Sequence, residues 1–331
     1  MLRQFFGAAV LAMMVASPAF AADIKPAVVY DLGGKNDQSF NQSAYFGAEQ
    51  YMKDTGTEYR DFEIQNDTQR EQALRRFAQR GNNPIVAIGF SHAEALKKVA
   101  PEFPDTKFAI VDMVVDLPNV RSIVFKEHEG SYLVGLLAAK ASQTGKVGFV
   151  GGMDIPLIRA FACGYKQGAK ATNPDVEVFE NMTGTTGAAW NDPVKGGELA
   201  KSQIDRGADV IYHAAGGTGA GVLQAAADAG KLGIGVDSNQ NHMHPGNMLT
   251  SMVKRVDIAV YNAFKDLADD NWSSGINVLG LAEGGVAWAD DEYNKDLITD
   301  DMRAAVDQAT KDIVDGKITV HDYRADSTCP F

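Results

Sequence analysis

Cysteine is nearly absent from this 331-residue sequence: Cys163 and Cys329 are the only two. Covalent cross-linking is therefore limited to one disulfide. In an oxidising compartment that bond would staple the extreme C-terminus to an earlier helix; unpaired, one thiol is buried and the other loose. Positive charge is also scarce. Lys and Arg number 31 against 43 acidic residues, a net charge of −12, which argues against nucleic acid or anionic lipid as a partner. No Gly-Lys-Ser or Gly-Lys-Thr is present to form a phosphate loop. No run of about 20 apolar residues follows the N-terminal segment, so no spanning helix is expected. Long repeats, low-complexity tracts and flexible linkers are missing too, which favours lobes joined by short crossings over beads on a string.

What is there begins with an address. Met1 to Arg3 is positive, Phe5 to Val15 is apolar, and Ala19-Phe20-Ala21 supplies the small residues of a cleavage site. Residues 1–21 thus read as a secretory signal cut before Ala22. The apolar stretch is too short to span a bilayer, and no cysteine at the cut suggests a lipid anchor. The expected mature protein is periplasmic, soluble and monomeric. At about 100–200 residues per domain, the remainder has room for two domains.

Strand-like and helix-like segments then alternate. Ala27 to Tyr30, Tyr59 to Ile64, Pro84 to Ile88, Lys107 to Val111, Lys146 to Val150, Asp209 to Tyr212 and Gly233 to Val236 are short runs of Val, Ile and Ala between Gly, Asp or Pro. Helical spacing separates them over Asn41 to Lys53, Asp67 to Arg80, Ala93 to Ala100, Ile155 to Ala171 and Gly221 to Ala229. Alternation at this spacing predicts an α/β protein with two doubly wound parallel sheets. The break between them is expected near Phe125 to Gly130, with a second crossing near Ser251 to Arg255.

Open parallel sheets bind ligands beyond the carboxyl ends of their strands. The residues at those ends are Asp37, Ser39, Phe40 and Asn41; Phe90, Ser91 and His92; Asp112; Trp190, Asn191 and Asp192; Gly216 to Gly219; Asp237; and Lys254. Singly each has an ordinary reading, since Asp112 or Asp237 serves equally as a helix cap and Trp190 as core. Together they suit a small polar ligand with a flat face, which rings sandwich and carboxylates grip by its hydroxyls.

Other chemistries fit less well. Gly217-Thr218-Gly219-Ala220-Gly221 resembles a dinucleotide fingerprint but has Val222 where the third glycine belongs, which argues against a nicotinamide enzyme. Gly89-Phe90-Ser91-His92-Ala93 resembles a nucleophile elbow that lacks its last glycine. A serine hydrolase using Ser91, with Asp237 and His242 or His244 behind it, is the enzymatic alternative, and a helix cap explains Ser91 as well. The pair His242 and His244 lacks a third metal ligand. Neither a cofactor nor a metal is expected.

Seven blocks occur in order along the mature chain: Asp37-Gln38-Ser39-Phe40-Asn41, Gly89-Phe90-Ser91-His92, Glu129 to Gly135, Gly148 to Gly152, Ala215 to Gly219, Gly235-Val236-Asp237 and Leu249 to Lys254. In these the sequence resembles the basic membrane protein (BMP) family, the nucleoside-binding components of ABC transporters. The resemblance implies a type I periplasmic-binding fold that closes on a nucleoside, a purine nucleoside being favoured, and delivers it to a permease. The expected first lobe is residues 22–126 plus about 255–285, and the second 127–254 plus about 286–331. By the resemblance, Phe40 and Trp190 match the rings that stack the base, and Asn41 and Asp112 the groups that read its edge. Asp237 and Lys254 match the groups that hold ribose, with Gly217 backbone nearby. Two departures stand out: many family members are lipoproteins, and the second ring is often Phe rather than Trp. A receptor for a sugar or other small polar metabolite on the same fold is the alternative.

Overall fold

The computed structural model describes residues 24–331, so the expected signal and its cleavage site lie outside the described residues. The chain first forms β1 (Ala27–Tyr30), α1 (Phe40–Thr55), β2 (Arg60–Glu63), α2 (Gln69–Gln79), β3 (Ile85–Ala87), α3 (Ala93–Val99), β4 (Phe108–Val111) and β5 (Val120–Phe125). It crosses into α4 (Glu127–Ala141), β6 (Lys146–Met153), α5 (Pro156–Thr172), β7 (Glu177–Gly184), α6 (Pro193–Asp205), β8 (Val210–Ala214), α7 (Gly219–Asp228), β9 (Leu232–Asp237) and β10 (Met248–Lys254). It returns for α8 (Val256–Ala268) and β11 (Gly275–Leu279), then crosses back for β12 (Val286–Trp288) and α9 (Asp300–Val314).

Two six-stranded sheets result, in the orders β2-β1-β3-β4-β5-β11 and β7-β6-β8-β9-β10-β12. Central strands such as Ala27–Tyr30 and Phe108–Val111 are buried throughout, because helices cover both faces and leave no polar side to alternate with. The first sheet is wholly parallel. The second departs from the expected pattern at one edge, where β12 runs antiparallel to β10. That strand enters from the other lobe and needs no crossover helix of its own. Helix starts follow local chemistry. Pro193 opens α6 while the Asp192 carboxylate accepts the Lys195 N–H at 2.9 Å, and Thr299 caps α9 through the Met302 N–H.

Three crossings join the lobes, at Lys126, at Arg255 and over 280–285, and backbone hydrogen bonds bundle them together. The Lys126 N–H donates to Leu279 O at 3.0 Å and the Arg255 N–H to Gly285 O at 2.9 Å. The Leu281 N–H donates to Glu129 Oε2 at 2.9 Å. Beyond α9 the tail lies along α5, where Gln167 donates to Thr319 O and accepts the His321 N–H. Cys163 on α5 and Cys329 are joined in a disulfide, with their Cα atoms 5.6 Å apart.

Candidate ligand-binding cleft

In each sheet the first strand sits between the second and third, so the carboxyl ends of both sheets open at a switch in strand order. The two sets of ends face one another across a void of about 600 Å³, solvent at its mouth included. Asp37, Phe40, Asn41, Phe90, Asp112, Trp190, Asp237 and Lys254 line it. Of the residues expected at the site, Ser39, Ser91 and Gly217 do not line it.

Aromatic walls come from both lobes. Trp190 stands against Gly152, where a Cβ would overlap the indole, so glycine is what lets the ring lie on β6. Its partner across the cleft is Phe90, edge-to-face at 6.4 Å between centroids. No direct ring contact joins Phe40 to Trp190; Phe40 instead faces the Lys254 ammonium, 5.3 Å from its centroid. The expected pair of rings is thus a group of four, since Phe161 of α5 also lines the cavity and stands 5.6 Å from the same ammonium. A cation over desolvated rings is favourable.

The polar end of the cleft is ionic and dry. Lys254 is 1% exposed, and its Nζ donates to Asp112 at 2.7 Å and pairs with Glu127 at 3.0 Å. Burial pushes the Asp112 carboxyl up to about 6, the nearby Glu127 adding to the rise while Lys254 opposes it. Three carboxylates hold the Lys254 proton more firmly than in free lysine despite its burial. Asp237 has no cation in contact. It accepts the Ser39 Oγ–H at 2.6 Å, and burial pushes it up to about 7. Both aspartates have left-handed backbone, with φ of 71° at Asp112 and 63° at Asp237. Among residues with a Cβ that uncommon conformation is tolerated best by Asn and Asp, and here it ends the fourth strand of each sheet.

Several expected contacts turn out to serve the frame. The Asp37 carboxylate accepts the N–H groups of Ser39, Asn41 and Gln42 and the Asn41 side chain, fastening the start of α1; burial raises its pKa against those bonds. Asn41 accepts the Asp31 N–H at 2.9 Å and donates to Asp37, so its amide is largely occupied. Ser39 is fully buried and forms a clasp between lobes. Besides its bond to Asp237, its carbonyl accepts Ser238 Oγ–H at 2.9 Å, and Gln240 donates to Gln38 O at 2.9 Å. Gly216, not Gly217, lines the cavity. Ser91 donates to Asp31, which is itself paired with Arg70 at 2.7 Å. His92 accepts from Arg70 at 3.2 Å, and burial lowers it to about 4. The hydrolase constellation therefore does not assemble: the Ser91 hydroxyl meets a carboxylate, and His242 packs beside Tyr293. Among the described residues no group of three His, Cys, Asp or Glu could hold a metal ion.

A family model for "ABC transporter substrate-binding protein PnrA-like" matches residues 24–322. The chain belongs to the Bmp family. Bmp proteins are solute-binding components of ABC transporters, not enzymes. The chain is 35% identical over 321 residues to the "ABC transporter nucleoside-binding protein BmpA" of Lactococcus lactis, covering 90% of this chain and 89% of that one. It is 30% identical over 304 residues to "Basic membrane protein A" of Borreliella afzelii, covering 89% and 91%. An ABC transporter solute-binding protein from Aeropyrum pernix K1 superposes with a TM-score of 0.83 at 31% identity, covering 90% and 93%. The fold is accordingly the periplasmic-binding fold expected from the sequence.

Besides Phe161, two charged residues behind this Bmp cleft have no place among the residues expected from the sequence. Glu127 follows β5 directly, and the strand-end rule would have found it had β5 not been read only as the break between lobes. Arg324 pairs with Glu127 at 2.9 Å from the C-terminal tail, where no local pattern marks it.

Proposed function

We propose that this Bmp protein captures a nucleoside between its lobes in the periplasm and delivers it to an ABC transporter permease. The observation that carries the reading is the pairing of aromatic walls from both lobes with a buried carboxylate–ammonium end in one cavity. The base would lie among Trp190, Phe90 and Phe40, where stacking contributes roughly 1–3 kcal/mol per ring. Ribose hydroxyls would donate to Asp237, with Lys254 and Asp112 completing the polar end. A relative whose printed name is nucleoside-binding supports the same ligand class. The two lobes, residues 22–126 with about 255–285 and 127–254 with about 286–331, would close as rigid bodies about the bundled crossings. No described helix is long and apolar enough to cross a membrane.

A thermal-shift screen of the purified chain against nucleosides, free bases, pentoses and hexoses tests this, because a ligand of the folded state raises the midpoint. Shifts with nucleosides and none with ribose are expected. Shifts with sugars alone would replace the nucleoside by a sugar on the same fold.

A further inference from the structure

The two single-residue crossings, at Lys126 and Arg255, are flanked by opposite charges in the protein interior. Glu127 opens α4 just past β5, Lys254 closes β10, and each sheet counts its strand as the fifth. Glu127 is completely buried, and one oxygen lies 3.0 Å from Lys254 Nζ, the same ammonium that Asp112 engages at 2.7 Å. Asp237 also acts on that ammonium from the end of β9. Two buried carboxylates thus contact one ammonium, with Asp237 a third nearby, an arrangement too costly to stand without further positive charge.

The missing charge comes from behind. Arg324 does not line the cavity, yet its Nη1 lies 2.9 Å from the second oxygen of Glu127. The guanidinium is fixed on its other edges by Asp322, which accepts from Nε at 2.9 Å, and by Phe125 O, which accepts from Nη2 at 3.0 Å. That tail segment is held on α5 by the Gln167 bonds and by the Cys163–Cys329 disulfide.

We infer that Arg324 is a positioning residue for the binding cleft: by sharing the charge of Glu127 from outside, it keeps Glu127 from drawing the Lys254 ammonium off Asp112 and the ligand. Without it, Glu127 draws Lys254 away from Asp112, or one of the buried carboxylates takes up a proton. Either change alters the surface that meets the ligand. A groups-behind-the-contact role of this kind typically alters affinity by about 10–100-fold at comparable metal sites.

The groups facing Glu127 are Lys254, Asp112, Arg324 and, on its own helix, His128, whose Nδ1 lies 3.8 Å from Asp322. Tyr212 of β8 senses Glu127 as well. Burial lowers the His128 pKa, with Arg324 lowering it further, so its proton must be separated from that of a carboxylate.

The affinity arm of the test rests on the nucleoside reading; the stability arm does not. Inosine and uridine are titrated calorimetrically into wild type, Arg324→Gln and Arg324→Lys at pH 5.5, 7 and 8. The Gln variant is expected to bind about tenfold or more weakly at pH 8, with the gap closing at pH 5.5, and the Lys variant to recover most of the loss. Equal affinity in all three overturns the inference. Wild type that binds neither nucleoside overturns the ligand assignment instead. Thermal midpoints of the same ligand-free chains, each also in a His128→Gln background, are then decisive for Arg324. A stranded buried carboxylate has a raised folded-state pKa, so the Gln variant's deficit must shrink as pH falls from 8 to 5.5. A deficit of the same size at every pH means lost packing only, and the inference fails.

Discussion

The two lobes end their fourth strands in the same way, with an aspartate in left-handed backbone aimed at one cavity, yet the two carboxylates live differently. Asp112 is clamped by a buried ammonium, whereas Asp237 has one hydroxyl from the opposite lobe. Fold repetition supplied the position twice, and the neighbours alone set the chemistry. Asp112 is a fixed part of an ionic frame. Asp237, pushed up to about 7, is the group whose charge is free to respond to a ligand or to pH.

The most drastic way to break this comparison is to remove the cation that separates the two. Lys254→Met should leave Asp112 uncompensated and Glu127 with Arg324 alone, cost about 3–5 kcal/mol at neutral pH and abolish binding. Denaturant midpoints at pH 8 and 5.5 check it, with the larger loss at pH 8. Trp190→Ala tests the aromatic half, which both aspartates presuppose. About 1–3 kcal/mol of binding should go while the thermal midpoint of the free protein changes little, as calorimetric titration would report.

Asp237→Asn sharpens the contrast by removing the responsive carboxylate. Its folded pKa lies above the ordinary value of 3.8, so its stabilising contribution is complete below about 4 and is lost as pH rises through about 7. The Asn variant should therefore lose a stability decline that wild type shows between pH 5 and 8. Its nucleoside affinity should also stop rising over pH 6 to 8, the range in which wild-type Asp237 ionises. If Asp112→Asn flattened the same profiles instead, the roles assigned to the two lobes would be reversed. The smallest effect belongs to the clasp. Ser39→Ala removes the hydroxyl that reaches Asp237 and should cost about 1 kcal/mol, visible as a weaker ligand-induced compaction by small-angle scattering.

Sequence pattern carried the fold far because buried parallel strands have few alternatives: runs such as Ala27–Tyr30 and Phe108–Val111 must be covered on both faces. It carried less where those constraints lapse. β11, Gly275–Leu279, lies at a sheet edge with Ile276 and Val278 exposed, and β12 spans three residues. Neither has the length or the burial that makes a strand readable. At the site the strand-end rule found Asp112, Asp237, Phe90 and Trp190, because topology delivers such positions to one place. It could not say which polar residues would be consumed by the frame, as Asp37, Asn41 and Ser39 are, since that depends on which backbone donors lie opposite. Arg324 was out of reach for a different reason: it arrives by the path of a tail, and nothing in the residues around it encodes that path.

The disulfide joins two segments that ride on the same side of the crossings, α5 and the tail that lies along it. No covalent link therefore opposes rotation about the crossings. The bond works like a cleat on one half of a clamshell, keeping a rope in place without tying the shell shut. A reducing wash should leave the swing of the halves untouched and slacken only what the tail holds.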